Sequence, residues 1–220
     1  MYLPTHFAET DPARLHALMR EHPLALLVVV ADGIATADPV PLEFDPAAGP
    51  LGTLRGHVAR ANPLARRGGS EVLAVFGGPQ AYVSPGFYAS KREHGKVVPT
   101  WNYAVVQARG TLHTVDDAPW LRALVGRLTQ HHEAAQTAPW AVDDAPADFV
   151  AQMLRAIVGI EIPLAALVGK FKLSQNRSAA DRAGVRQGLA AGTAGARAAA
   201  ALMLPDDDPA PPDPTRKDPR

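Results

Sequence analysis

The chain runs to 220 residues, with 22 Lys and Arg against 22 Asp and Glu, a formal net charge of zero, and no cysteine. Disulfides, cysteine-ligated zinc, iron–sulfur clusters and thiol nucleophiles are thereby excluded, and a balanced chain has no overall charge excess for neutralising nucleic-acid phosphates. Proline is the outlier at 21 residues, about twice its usual share.

The length suits one domain with appendages and is enough to bury a core without staples. Met1-Tyr2-Leu3-Pro4-Thr5-His6 has neither the basic nor the apolar region of a signal peptide. The apolar run at 24–31 is far short of the roughly 20 residues of a membrane helix. The expectation is a cytoplasmic protein with no membrane partner and no metal.

In chain order, Thr10 or Asp11 caps a helix that Pro12 opens, with Leu15, Leu18 and Met19 at helical spacing and His22-Pro23 as its end. Residues 24–31 form a Val- and Leu-rich strand closed by Asp32-Gly33, a strong hairpin signal. The returning strand at 34–44 contains Pro39 and Pro41, which confine it to an edge or a bulge. A turn at 45–50 leads to a strand at 51–59, and 62–69 reads as a short helix or loop. A strand at 71–76 is expected to break at Gly77-Gly78-Pro79, with another extended piece at 81–84 and a long one over 97–115. Asp116-Asp117 caps a helix over 119–133, a second helix covers 147–156, and strands follow at 158–162 and 171–173.

Strands that close on one another early, without regular βαβ units, predict a mainly β chain with flanking helices (α+β), antiparallel and barrel-like. The division is a domain over 1–190, an alanine-rich helix over 191–204 and a tail over 205–220. The tail carries six prolines and eight charges and is expected to be disordered.

No Walker loop or G-x-S-x-G elbow occurs. His131-His132-Glu133 lacks the spacing of a metal motif, and Asp116-Asp117 and Asp143-Asp144 read as helix caps. Three polar clusters remain. Gly56-His57-Val58-Ala59-Arg60-Ala61-Asn62-Pro63, followed by Arg66 and Arg67, combines a guanidinium, an imidazole and a turn. It suits a phosphate monoester or a solvated turn with Asn62 as cap. Val98-Pro99-Thr100-Trp101-Asn102-Tyr103, shortly after Tyr82 to Tyr88, is either a wall for a planar ring or a core aromatic cluster. Lys170-Phe171-Lys172-Leu173-Ser174-Gln175-Asn176-Arg177-Ser178 is either a capped helix start, with Ser178 and Asp181 as a loose capping box, or a ligand contact.

Taken in this order, the clusters resemble the PaiB family of FMN-binding negative transcriptional regulators. Further matching pieces are Met1-Tyr2-Leu3-Pro4 with Phe7, Val75-Phe76 to Gly78-Pro79, Ala81 to Pro85, His132-Glu133 with Pro139-Trp140, Ile157-Val158-Gly159 and Gly184-Val185. The resemblance spans residues 1 to about 190. It implies an antiparallel split β-barrel of the FMN-binding type, a homodimer, and FMN between the subunits. By analogy His57, Arg60 and Asn62 lie on the phosphate side, and Trp101, Asn102 and Tyr103 nearer the ring or ribityl chain. Lys172, Ser174, Gln175 and Asn176 would then reach the flavin from the other subunit. Two positions depart from the family pattern: Pro39 stands in place of a histidine and Ala65 in place of a tryptophan. If that tryptophan lines the pocket, its loss weakens the hold on flavin.

The resemblance implies a transcriptional regulator with DNA as partner, whereas the residues contain no helix-turn-helix signature or basic recognition helix. The alternative is a flavin-dependent oxidoreductase with a small-molecule substrate, in which the cofactor carries the chemistry.

Overall fold

The structure is a computed structural model that describes residues 1–203. The tail over 205–220 and its expected disorder lie outside the described residues. The strands are β1 (Ala8–Glu9), β2 (Leu24–Ala31), β3 (Ile34–Pro41), β4 (Glu43–Asp45), β5 (Thr53–Ala59), β6 (Glu71–Val83), β7 (Thr100–Thr111), β8 (His113–Val115) and β9 (Ile157–Lys172). The helices are α1 (Pro12–Glu21), α2 (Ser90–His94), α3 (Ala118–Glu133), α4 (Ala147–Arg155), α5 (Ala179–Ala190) and α6 (Ala194–Ala201). The sheet order is β3-β2-β6-β7-β9-β5-β4, with β1 and β8 pairing β9 off that path. The path ends at β3 and β4 without closing. This is the antiparallel split-barrel class with flanking helices.

The chain divides into two compact units. The first holds 1–15, 77–106 and the chain from Val168 onward; the second holds 16–76 and 107–167. In the second unit, β2 alternates between buried Ala25, Leu27 and Val29 and outward Leu24, Leu26 and Val30, the period of a strand with one covered face. It pairs with β3 through the Asp32-Gly33 turn, where both residues adopt positive φ (53° and 77°), as a tight hairpin requires. Both prolines of β3 sit on the terminal strand of the path, where a missing N–H breaks no ladder on the open side. The expected strand at 34–44 is split at Leu42, whose N–H donates instead to the Pro23 carbonyl at 2.9 Å. Helix α3 starts where Asp117 accepts from the Trp120 N–H at 2.7 Å, and Leu121 and Leu124 carry its buried face.

Two strands are longer than their punctuation suggests. Gly77-Gly78-Pro79 does not interrupt β6, and 158–162 and 171–172 belong to the single strand β9, with Leu173 just past its end. The stretch at 97–115 instead divides into β7 and β8 around Leu112, whose N–H turns to the Ser70 carbonyl at 2.9 Å. In the first unit, β1 pairs β9 at Lys170 and Gly169. Helix α5 is capped by Ser178, which accepts from the Asp181 N–H at 3.2 Å. Gly184 and Gly188 let α5 lie directly on Phe87, because a Cβ at either would collide with its carbonyl or its ring.

Candidate functional site

The second and third polar clusters meet within the first unit. Lys170 and Lys172 are two residues apart on β9 and so share a face. The Lys172 ammonium donates to Thr100 Oγ1 and to the Trp101 carbonyl, both at 2.6 Å. The Lys170 ammonium donates to the Tyr2 carbonyl at 3.0 Å. Both lie over the Tyr103 ring, at 5.6 and 6.0 Å from its centroid, while Tyr2 and Phe7 present further ring faces to Lys170 and Lys172 at 5.5 and 5.8 Å. These distances fall within cation–π range. Trp101 is exposed and stands edge-on to Tyr82, ring centroids 6.1 Å apart.

The polar run after β9 sorts into bracing groups and available ones. Ser174 is buried at positive φ (68°) and its hydroxyl donates to Asn102 Oδ1 at 3.0 Å. Gln175 clamps the same turn: its side-chain oxygen accepts from the Leu173 N–H at 2.7 Å, and its amide donates to the Phe171 carbonyl at 2.5 Å. Asn102 is fully buried and also donates to the Met203 sulfur at 3.9 Å. Ser174, Gln175 and Asn102 therefore hold the shape of the site. Lys172, Trp101, Tyr103 and the exposed Asn176 are the members placed to meet a ligand.

Burial pushes the Lys172 ammonium below its ordinary pKa, and the like charges of Lys170 and Arg177 push it further the same way. None of the three takes part in an ion pair among the described residues. Arg177 stacks on the Tyr88 ring at 4.9 Å, and the buried Tyr88 hydroxyl has no hydrogen-bond partner among the described residues. Charge explains the setting. The neutral chain is polarised: the described part of the first unit holds ten Lys and Arg against four Asp and Glu, a net of +6. Two of those acids are engaged elsewhere, Glu9 by Arg14 at 2.8 Å and Asp181 by the Ser90 N–H and hydroxyl at 2.9 and 2.8 Å. Uncompensated cations, ring faces and an unpaired buried hydroxyl fit an anionic planar ligand such as a flavin mononucleotide.

The first polar cluster lies in the second unit. Arg60 donates to both Asp116 oxygens at 2.7 and 2.8 Å, to the Arg155 carbonyl at 2.8 Å and to the Ile157 carbonyl at 3.0 Å. Its guanidinium thus staples the end of β5 to the start of β9. Asn62 caps a 3₁₀ turn over Pro63–Arg66 by accepting from the Leu64 N–H at 2.8 Å, and its amide reaches Asp38 at 3.3 Å. His57 is half-buried on β5, and desolvation lowers its pKa. Beside Asn62 is a groove of about 470 Å³ lined by Val29, Ile34, Asp38, Pro63 and Arg67. Lys170, Arg177 and Tyr88 join the site although sequence reasoning does not single them out as ligands. The i, i+2 spacing of Lys170 and Lys172 is the signal that marks the first of them. Among the described residues no group of three or more metal-ligating side chains occurs, and no helix is long and apolar enough to cross a membrane.

The fold is that of the split-barrel flavoproteins. A FAD and heme binding protein from Mycobacterium smegmatis superposes with a TM-score of 0.55 at 18% identity, over 76% of this chain and 73% of that one. Residues 1–166 match the family described as "Putative FMN-binding domain". The chain belongs to this family, together with the PaiB proteins. The "Protease synthase and sporulation protein PAI 2" of Bacillus subtilis is 30% identical over 183 residues, covering 82% of this chain and 85% of its own length. A protein of Aspergillus fumigatus is 33% identical over 236 residues, covering 86% and 90%.

Proposed function

We propose that this chain is a cytoplasmic FMN-binding regulator of the PaiB type that acts as a homodimer and represses transcription. The observation that carries the flavin reading is the meeting of the 98–103 and 170–177 segments in one unit, where cations without carboxylates border the ring of Tyr103 and the Trp101 carbonyl. FMN would supply redox chemistry there. The protein residues would hold it: Tyr103 and Trp101 offer ring faces, and Lys172 is fixed by Thr100 and the Trp101 carbonyl so that its remaining N–H points to a ligand acceptor.

Regulation draws on two supports. The name of the Bacillus relative ties that protein to protease synthesis and sporulation. The +6 charge of the first unit also gives a chain of zero net charge a region suited to nucleic-acid phosphates. For the dimer, the outward face of β3, β2 and β6 is almost wholly apolar. Leu24, Leu26 and Val30 are 62, 49 and 63% exposed, and Leu26 and Val28 stand opposite Pro39 and Ala37 on one side and Val75 and Leu73 on the other. A continuous apolar sheet face of this kind marks an association surface, and a second copy supplies the same apolar strands in return.

One observation favours the oxidoreductase alternative: the unpaired, buried Tyr88 hydroxyl beside Arg177 is a candidate proton donor. The deciding experiment is an FMN titration followed by flavin fluorescence, with DNA binding measured by anisotropy across a salt series. Saturable quenching with a steep salt slope for DNA fits the regulator. Saturable quenching with nicotinamide-dependent turnover and no DNA binding fits the enzyme, and no quenching removes both.

A further inference from the structure

We propose that Lys170, Lys172 and Arg177 form a binding site for the phosphate monoester of a small ligand. The geometry has three parts. Lys170 and Lys172 point from one face of β9 with their ammoniums fixed, Lys170 by the Tyr2 carbonyl and Lys172 by Thr100 and the Trp101 carbonyl. An ammonium has three N–H donors, so Lys172 keeps one free and Lys170 two beyond those bonds. Arg177 is held flat on Tyr88, leaving the edge of its planar fork, which matches phosphate oxygens.

Charge separates phosphate from other anions. Lys170 and Lys172 share the Tyr103 ring, and Arg177 stands on the turn that follows, its N–H donating to the Ser174 carbonyl at 3.0 Å; three like charges so placed repel in the absence of a counter-charge. The acids of the unit do not supply one: Glu9 is bound to Arg14, Asp181 to Ser90, Asp11 caps the Ala13 N–H at 2.9 Å, and Glu93, exposed on α2, pairs with none of the three among the described residues. A dianion relieves this repulsion better than a carboxylate does. Lys170 is only 9% exposed and sits under Tyr2, so the site is recessed and suits a terminal phosphate on a small molecule rather than the backbone of a duplex.

The phosphate has two chemical sources, the flavin's own terminal phosphate or a separate phosphorylated metabolite. The first deepens the flavin reading and rests on it; the second does not. The test uses the full chain, with FMN, riboflavin and inorganic phosphate as probes, and Arg177→Gln and Lys172→Met as variants. Arg177→Gln removes a ring stack and spares the strand hydrogen bonds, so it keeps the fold. Lys172→Arg is the charge-retaining control, and Arg109→Gln, an exposed cation of the other unit, controls for bulk charge.

If the flavin's phosphate occupies the site, FMN binds about tenfold or more tighter than riboflavin, a charge-assisted contact's worth. Arg177→Gln and Lys172→Met erase that ratio by weakening FMN, and the two controls retain it. If a separate metabolite is the source, inorganic phosphate raises the Tm of the wild type, with or without saturating FMN, and not that of Arg177→Gln. The same phosphate response in a chain that binds neither flavin sinks the flavin reading and leaves the site standing. Equal affinities for FMN and riboflavin, with phosphate acting alike on wild type and variants, overturn the proposal even when flavin binds.

Discussion

The Ser174 hydroxyl donates to Asn102 Oδ1 at 3.0 Å, and both residues are buried, at 4% and 0% exposure. This bond joins the turn after β9 to β7 inside the first unit, and it holds a non-glycine residue in a left-handed backbone conformation at φ 68°. Such a conformation costs on the order of 1 kcal/mol or more and persists only where neighbouring contacts enforce it.

Asn102→Ala is expected to leave the Ser174 hydroxyl buried without its acceptor. The cost is about 1–3 kcal/mol for the unsatisfied group, and the lost side-chain volume adds to it. Urea unfolding reads it as a lower midpoint with an unchanged slope. A midpoint within error of the wild type shows that the turn finds another acceptor.

The strands and the helix starts were legible because their signals are local. Residues 24–31 alternate, Asp32-Gly33 allows positive φ, and Asp117, Asn62 and Ser178 each lie beside the N–H they cap. The continuity of β6 across Gly77-Gly78-Pro79 was not legible, because a neighbouring strand's ladder overrides a local breaker. Nor was the sorting of the 172–176 run. Lys172, Ser174 and Gln175 are all polar, and only the fold gives Ser174 to Asn102 and Gln175 to the turn while leaving Lys172 beside Tyr103. Arg60 reads in sequence as a phosphate ligand because its carboxylate partner, Asp116, is 56 positions away.

Gly184→Ala sets helix propensity against packing. Alanine favours the helix interior by about 1 kcal/mol, but its Cβ would enter the Phe87 carbonyl oxygen, a backbone atom that cannot rotate aside. Overpacking of this kind costs about 1–3 kcal/mol, so packing wins and the variant is less stable by about 1 kcal/mol. Thermal melting detects it as a fall of several degrees. A higher Tm would mean that α5 can slide off Phe87.

Arg60→Ala is expected to lower Tm while leaving FMN affinity within about twofold. Four of the five N–H donors of a guanidinium are engaged, two on Asp116 and two on backbone carbonyls. Asp116 is held below its ordinary pKa by the Arg60 hydrogen bonds, so this side of the pair stays charged well into acid. An anion at Arg60 must first displace Asp116. A tenfold loss of FMN affinity in Arg60→Ala, with Tm unchanged, would assign Arg60 to the phosphate instead.

His57 sets an acid limb on stability. Burial lowers its folded pKa, so on acidification the unfolded chain takes the proton first. The stability that its neutral form provides is complete above about pH 6.5 and is lost as pH falls from there toward the folded pKa. His57→Gln removes that loss, so the variant's unfolding midpoint changes less than the wild type's between pH 7 and pH 5. Asp45, held down by its Arg55 hydrogen bond, acts in a separate window: its contribution is lost as pH falls below about 4. Parallel curves for wild type and His57→Gln between pH 7 and 5 would place the imidazole in solvent.

Leu26→Glu tests the dimer without touching the core. Leu26 is 49% exposed and points outward between Pro39 and Val75, whereas its neighbours Ala25 and Leu27 are fully buried. A carboxylate there leaves the inner face of β2 unchanged and keeps the outer one solvated in a monomer. In a dimer sealed by this face each copy buries one such carboxylate, which doubles the desolvation cost. Each burial without a partner costs several kcal/mol, so dissociation rises by a thousandfold or more. Analytical ultracentrifugation at micromolar protein should find the wild type as a dimer and Leu26→Glu as a folded monomer. A wild type that sediments as a monomer sinks the assignment of this face, and a variant that stays dimeric moves the interface elsewhere on the chain.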